Sequence, residues 1–518
     1  MTYLYFLVFV TGMASLGVEL AASRLLGAYF GTSNLVWATI IGLILLYLSA
    51  GYWLGGRWAD RDPRSETLYR VVAWAGVGVA LVPVAARPVL WRAAAAFDAL
   101  RLGVLAGSFV AVLLLLVVPV TLLGMVSPFA IRIATRRTEE SGRVAGRIYA
   151  LSTLGSFLGT FLPDLLLVPL LGTRRTFLLL GLTLTLVAWG GLWLVRGRRA
   201  WRYAWMPLLI VALWAFWAAA PLKTTTGQIY ETESAYNYIQ VLQYGDYRYL
   251  RLNEGQGVHS VYHPTRLEYG GAWRMFLVAP FFNRPPFAPV DVHRMAVVGL
   301  AAGTVARQAT AAFGPLPIDG FEIDPQILAV GRRYFGLAAL PNLHAYAEDG
   351  RVGLRRSPYR YDLIALDAYR PPYIPWHLTT REFFLIAREH LTARGAVAVN
   401  VGAPPGDYRL ADALAATLAS VFPSVYAVRA PRTFNLMLYA TVQPTAWQNL
   451  QANAAALPPD TPPFLGRSLQ TALEHPVPLA WADVPPFTDD RAPVALLTDR
   501  MILHFLLTQT DAPWQEQP

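Results

Sequence analysis

Four strand-end features in the C-terminal half carry residues able to do chemistry, and they come in the order a parallel α/β sheet would present them. The first is Met295-Ala-Val-Val-Gly299-Leu-Ala-Ala-Gly303, a buried-type strand running into two glycines and then a helical pattern. Glycines there let backbone approach a ligand closely, and the helix N-terminus that follows favours polar or anionic groups. The second is Ile318-Asp-Gly-Phe-Glu322-Ile-Asp324, with an acid about 20 residues beyond the glycines, the spacing at which a carboxylate grips ribose hydroxyls. The third is Glu348-Asp349-Gly350, where an acid at a strand end suits an adenine amino group. The fourth is Tyr361-Asp-Leu-Ile-Ala-Leu-Asp367-Ala-Tyr369, a hydrophobic strand delivering Asp367 to the carboxyl edge, where open α/β sheets bind ligands. A glycine-rich turn alone is common in structural βα units; the ordered set of four is the argument for a nucleoside pocket.

The elements that must position these residues follow from pattern. From Met295 the chain alternates strand, turn and helix, the start of a βαβ parallel sheet. Ahead of it, Tyr236-Asn-Tyr-Ile-Gln-Val-Leu and Tyr247-Arg-Tyr-Leu-Arg-Leu alternate with period two and end in a turn at Asn253-Glu254-Gly255, predicting a small antiparallel sheet or hairpin. Before Pro221 the texture is different: apolar windows of about 20 residues, enough to cross a roughly 30 Å hydrocarbon core, recur and then stop. The expected fold is therefore a multi-pass α-helical membrane bundle over 1–221, a small β-sheet domain over 222–290, and an α/β Rossmann-like domain of class I methyltransferase type over 291–518.

Seven spans are expected, near 3–22, 34–54, 71–90, 104–126, 148–170, 176–195 and 203–220. The first has no basic stretch ahead of it and no small-residue cleavage site, so it reads as a span and not as a signal peptide. The net charge of +10 divides unevenly. Residues 1–221 hold 19 Lys+Arg against 8 Asp+Glu, and residues 222–518 hold 24 against 25. The basic excess belongs to membrane loops, and the near-neutral remainder argues against a nucleic-acid partner. Loops after even-numbered spans hold 13 arginines and the alternate connections 6, which puts the N-terminus in the cytoplasm of a cell-membrane protein. Seven spans then carry the soluble part outside, while a substrate made in the cytosol argues for inside; the two expectations oppose. Glu19, Arg24 and Asp164 are ionisable within apolar stretches, read as an interfacial pair or helix-holding contacts in preference to a conduit, with Pro163 and Asp164 marking a broken helix. The chain has no cysteine, hence no disulfide or Cys-based zinc site, and its 8 histidines have no metal-binding spacing.

Taken together these motifs resemble the aminopropyltransferases, the spermidine and spermine synthases, and most closely their membrane-fused bacterial branch, over about Ser234 to Val401. The resemblance implies transfer of an aminopropyl group from decarboxylated S-adenosylmethionine, a co-substrate and not a tightly bound cofactor, to a diamine or polyamine. It implies Asp367 as catalytic base and Asn237, Gly299, Gly303, Glu322, Asp349 and Gly350 around the donor nucleoside. Tyr236, Glu254, Tyr269, Tyr369 and Trp376 would line the acceptor channel, with no metal; the lipid bilayer is a partner and a homodimer is compatible. The chemistry agrees: an amine attacking a carbon next to a sulfonium must be neutral, so a carboxylate has to take its proton. Tyr369, Tyr373 and Trp376 could wall the site by cation–π contact, or simply pack. The loop Arg370–His377, with three prolines, falls where the family has a gate, and His377 reads as structural more readily than as a second acid/base.

Two departures stand out. The family turn resembles GGGDGG, whose acid holds the donor's amine, and Ala302 stands there; the family's second loop acid, near the acceptor, is replaced by Arg370. Glu254 or Glu268 could restore charge. Two alternatives follow: an alkyl- or methyltransferase using S-adenosylmethionine, or a nucleoside-binding domain regulating a polyamine-handling bundle. Phe487-Thr-Asp489-Asp490-Arg491-Ala-Pro, also similar to the fused branch, reads as a turn with an Asp–Arg pair.

Overall fold

The computed structural model describes residues 1–100, 103–254, 257–369 and 373–508. Arg370, Pro371, Pro372 and Gly255 lie outside the described residues. The chain forms two units: the first holds 1–226, 231–238 and 253–255, the second 227–230, 239–252 and 256–518. The expected 222–290 domain thus divides between them.

In the first unit, α1 (Thr2–Phe30), α2 (Asn34–Arg61), α3 (Ser65–Leu100), α4 (Gly103–Gly124), α5 (Val126–Ala134), α6 (Ser141–Leu162), the short α7 (Val168–Leu171) and α8 (Thr173–Arg196) build an apolar bundle. With short helical extensions they supply, among the described residues, six segments long and apolar enough to cross a membrane: Thr2–Phe30, Val36–Arg61, Ser65–Leu90, Phe109–Ala134, Thr138–Leu171 and Thr173–Tyr203. Glycine sets the closest approach. A Cβ on Gly155 would lie 2.0 Å from the Phe9 carbonyl, and one on Gly159 2.1 Å from that of Met13, so α6 touches α1 backbone to backbone. The expected break at Pro163 is a π-helical turn, Pro163–Leu167.

At the seventh expected span the structure has the 13-residue apolar helix α9 (Trp205–Trp217), shorter than the roughly 20 residues of a typical span. Its sequence is interrupted by the arginine-rich turn Gly197–Tyr203 before it and the turn at Ala218–Ala220 after it. Even so, the chain changes ends along it. At one end lie Tyr3 on the Val187 carbonyl, Arg196 on Glu66, and Arg132 on Asp60. At the other, Tyr29 bonds the Leu222 carbonyl, Arg174 bonds those of Trp217 and Pro221, and Arg87 bonds Thr224.

In the second unit a seven-stranded sheet has the order β10-β11-β9-β8-β5-β6-β7. Preceding it in the chain are β1 (Gln228–Glu233), β2 (Tyr238–Tyr244), β3 (Tyr247–Leu252) and β4 (Val258–Tyr262), a four-stranded sheet in that order. The large sheet comprises β5 (Met295–Val298), β6 (Ile318–Glu322), β7 (Leu343–Ala347), β8 (Tyr361–Leu366), β9 (Leu391–Gly402), β10 (Ser424–Arg429) and β11 (Asn435–Thr441). The run β9-β8-β5-β6-β7 is parallel, and β11 and β10 close one side antiparallel. Period-two alternation splits its side chains between two cores. Met295, Val297, Leu363 and Ala365 face one, Ala296, Val298, Ile364 and Leu366 the other. Both faces being covered explains why these strands read as continuous apolar runs.

Candidate active site

The parallel strands deliver all four expected features to their C-terminal edge. After β5, Gly299 adopts φ +86°, and a Cβ there would lie 2.5 Å from the Asp367 carbonyl oxygen; Gly303, at φ +87°, N-caps α10 (Thr304–Phe313). These are positions where only glycine is unstrained. After β6, the Glu322 carboxylate reaches back to that turn, accepting the Ala301 N–H at 2.9 Å and the Asp324 N–H at 3.1 Å. Burial pushes its carboxyl up to about 7, against the lowering effect of those amides. Asp324 caps α11 (Pro325–Tyr334) through the Gln326 N–H.

After β7, Asp349 caps α12 (Gly350–Arg356): one oxygen accepts the Arg351 and Val352 N–H groups at 2.9 and 3.1 Å. The other oxygen meets His377 Nε2 at 2.8 Å. The His377 bond, with the cap amides, holds this carboxyl below the ordinary aspartate range. Gly350 lets α12 close on β5, since a Cβ would stand 2.3 Å from Val298 Cγ1.

Asp367 follows β8, its N–H donating to the Val298 carbonyl at 2.8 Å. Asn400 Nδ2 on β9 donates to its Oδ1 at 2.8 Å. Burial drives the Asp367 carboxyl up to about 7, and the Asn400 bond opposes this. Tyr369 donates to the Asn400 backbone carbonyl at 3.2 Å, and burial beside Asp367 raises its phenol. Asn400 was not anticipated from the sequence. Its signal is slight: one amide in the apolar run from Gly395 to Gly402.

Other expected residues have partners of their own. Tyr269 is buried but spends its hydroxyl on the Arg266 carbonyl at 2.7 Å. Trp376 is half exposed, edge-on to His377. Tyr236, Asn237 and Glu254 belong to the first unit. There Asn237 accepts from Asn253 at 3.1 Å, and burial lifts the Glu254 carboxyl to about 7. Glu268 is engaged by Arg467 on the surface. In the bundle Arg24 faces Asp164 at 3.5 Å and donates to the Ser234 carbonyl. Ala302 is sealed: its N–H bonds Ser260, and its methyl packs with Ile239, Val241, Ile327 and Phe335. The turn at Phe487 forms as expected, closed between Thr488 and Arg491, but its acid does not use Arg491: Asp489 pairs with Arg351.

No family model matches the chain. A Bifidobacterium longum protein named probable polyamine aminopropyl transferase is 34% identical over 229 residues, 44% of this chain and 48% of that protein. The chain thus spans about half the length of that relative. A polyamine aminopropyltransferase of Vibrio vulnificus is 29% identical over 48% of this chain and 86% of its own length. Polyamine aminopropyltransferase 2 of Ralstonia nicotianae is 26% identical over 439 residues, 78% of this chain and 80% of that one.

Proposed function

We propose that this chain, similar in sequence to polyamine aminopropyltransferases, transfers an aminopropyl group from decarboxylated S-adenosylmethionine to a diamine and releases 5′-methylthioadenosine. The observation that carries the reading is the Asp367 carboxyl, part-buried at the end of β8, held by Asn400 through one oxygen and lifted to about 7. The amine's lone pair forms a C–N bond to the methylene beside the sulfonium as the C–S bond breaks and its electron pair passes to sulfur. The attacking nitrogen's proton goes to Asp367. A base with a pKa near the working pH combines availability with driving force. Glu322 would take the ribose hydroxyls and Asp349 with Gly350 the adenine, while Gly299 and Gly303 let backbone approach the donor.

One observation favours a second reading. With Ala302 packed in an apolar cluster, no acid at that turn selects the donor's amine, and S-adenosylmethionine itself would be tolerated as an alkyl donor. The deciding experiment offers the detergent-purified protein each donor with a panel of diamines. Methylthioadenosine plus an aminopropylated amine supports the first reading, S-adenosylhomocysteine plus a methylated product the second. Nucleoside binding with neither product would sink both and leave a binding domain.

The side of the membrane is part of the proposal. The arginine-rich connections gather at the bundle end that holds Tyr3 and Arg196, and residues 217–224 lie at the opposite end. The positive-inside rule then assigns the soluble unit to the extracytoplasmic side. Donor and amine would have to be available on that face.

A further inference from the structure

We propose that Asp489 is a positioning residue for the donor pocket, acting through Arg351 to hold the Asp349 loop against His377. The inference rests on the reading of Asp349 as the adenine-binding acid. The contacts form a closed circuit. The Asp489 carboxylate takes two parallel bonds from the Arg351 guanidinium, at 2.7 and 2.6 Å. It takes a third from the Thr380 hydroxyl at 2.7 Å, and the Asp489 N–H donates to Glu382 at 2.9 Å. Thr380, three residues after His377, caps α13 (Arg381–Glu389). Arg351 also bonds the His377 carbonyl at 3.1 Å, and the His377 ring holds Asp349, whose other oxygen caps the helix that carries Arg351.

The strap carrying Asp489 is itself anchored. Phe487 is buried, its carbonyl accepts the Arg381 N–H at 2.8 Å and its N–H donates to Thr417 at 2.9 Å. Thr488 and Arg491 close the turn through bonds of 3.1 and 3.0 Å. Exposed ion pairs contribute little, and the Asp489 side chain is 39% exposed, but the Arg351 side chain is only 14% exposed and the geometry is bidentate with a third donor. Without Asp489, the largely buried guanidinium loses its counter-charge and the two loops facing Asp349 lose their shared tie. The residue does not touch the reacting atoms; its effect belongs in donor affinity.

The test compares wild type, Asp489→Ala, Asp489→Asn, Arg351→Ala and the Asp489→Ala/Arg351→Ala double variant. Methylthioadenosine Kd is measured by calorimetry, donor and amine KM and kcat are separated, and hydrogen exchange is followed at the Arg351 and Val352 amides. Expected are a roughly tenfold or greater rise in methylthioadenosine Kd and donor KM for Asp489→Ala, amine KM and kcat within about twofold, and faster exchange at both amides. Asp489→Asn, which keeps the shape and one acceptor, should fall between. The double variant should be no worse than the worse single one. Unchanged exchange and unchanged Kd in folded Asp489→Ala overturn the proposal, as do losses that add in the double variant. If wild type binds no adenosine ligand, the functional reading fails instead, and the exchange data still decide whether the strap holds the loop.

Discussion

At the residue scale, two carboxyls raised to about 7 sit beside two held low, and the environments are distinct. Asp367 and Glu322 are raised chiefly by burial. Asp349 and Asp489 are held down chiefly by their His377 and Arg351 partners. This divides roles: the raised Asp367 can cycle a proton, and the lowered Asp349 stays an acceptor. If Asp367 is the base, its carboxylate form grows as pH rises through about 7, so kcat/KM should climb with pH and level off above that value. A profile flat between pH 6 and 8 would remove it from that role. Asp367→Asn should cost about 10²–10⁴-fold in kcat while methylthioadenosine still binds. Glu322→Ala should weaken adenosine-ligand binding by about 1–3 kcal/mol in calorimetry; an unchanged Kd would place the nucleoside elsewhere.

At the element scale, the site depends on how closely two turns and a helix are pressed together. Gly350 lies where α12 leans on Val298, and overpacking of this kind costs about 1–3 kcal/mol. Gly350→Ala should therefore lower Tm and loosen donor binding together. At Gly299 the neighbour is the Asp367–Ala368 backbone, which cannot swing away, and φ is +86°. Gly299→Ala should be the more damaging of the two in thermal unfolding; equal Tm values for both variants and wild type would show that these approaches are not tight. The elements were legible because period and punctuation agree: apolar runs ending in an acid, followed by helix-type spacing, mark each βα unit. The pairing of Asp489 with Arg351 was not legible, since 138 residues separate them and a nearer arginine, Arg491, offered itself.

At the scale of the whole molecule, the absence of cysteine makes the topology directly testable. Single cysteines at Gln451 in the soluble unit and Gly142 in an arginine-rich connection can be labelled in right-side-out membrane vesicles with an impermeant maleimide. The expected result is labelling at Gln451→Cys without permeabilisation and at Gly142→Cys only after it. Labelling of both sites only after permeabilisation would put the soluble unit in the cytoplasm and mean that residues 203–220 do not cross, and the reverse pattern would invert the whole chain against the positive-inside rule.

The sequence by itself determined which segments are apolar enough to enter a membrane, that a parallel α/β sheet follows, and which acids end its strands. Those properties are local, written in composition and period. Only the tertiary structure decided that the seventh apolar stretch is a short helix joining opposite ends of the bundle, that Ala302 is buried in apolar packing, and that Asn400 and Asp489 stand behind the site's acids. Burial, hydrogen-bond partners and ion pairs are set by chain segments far apart in sequence, and no spacing rule along the chain carries that information.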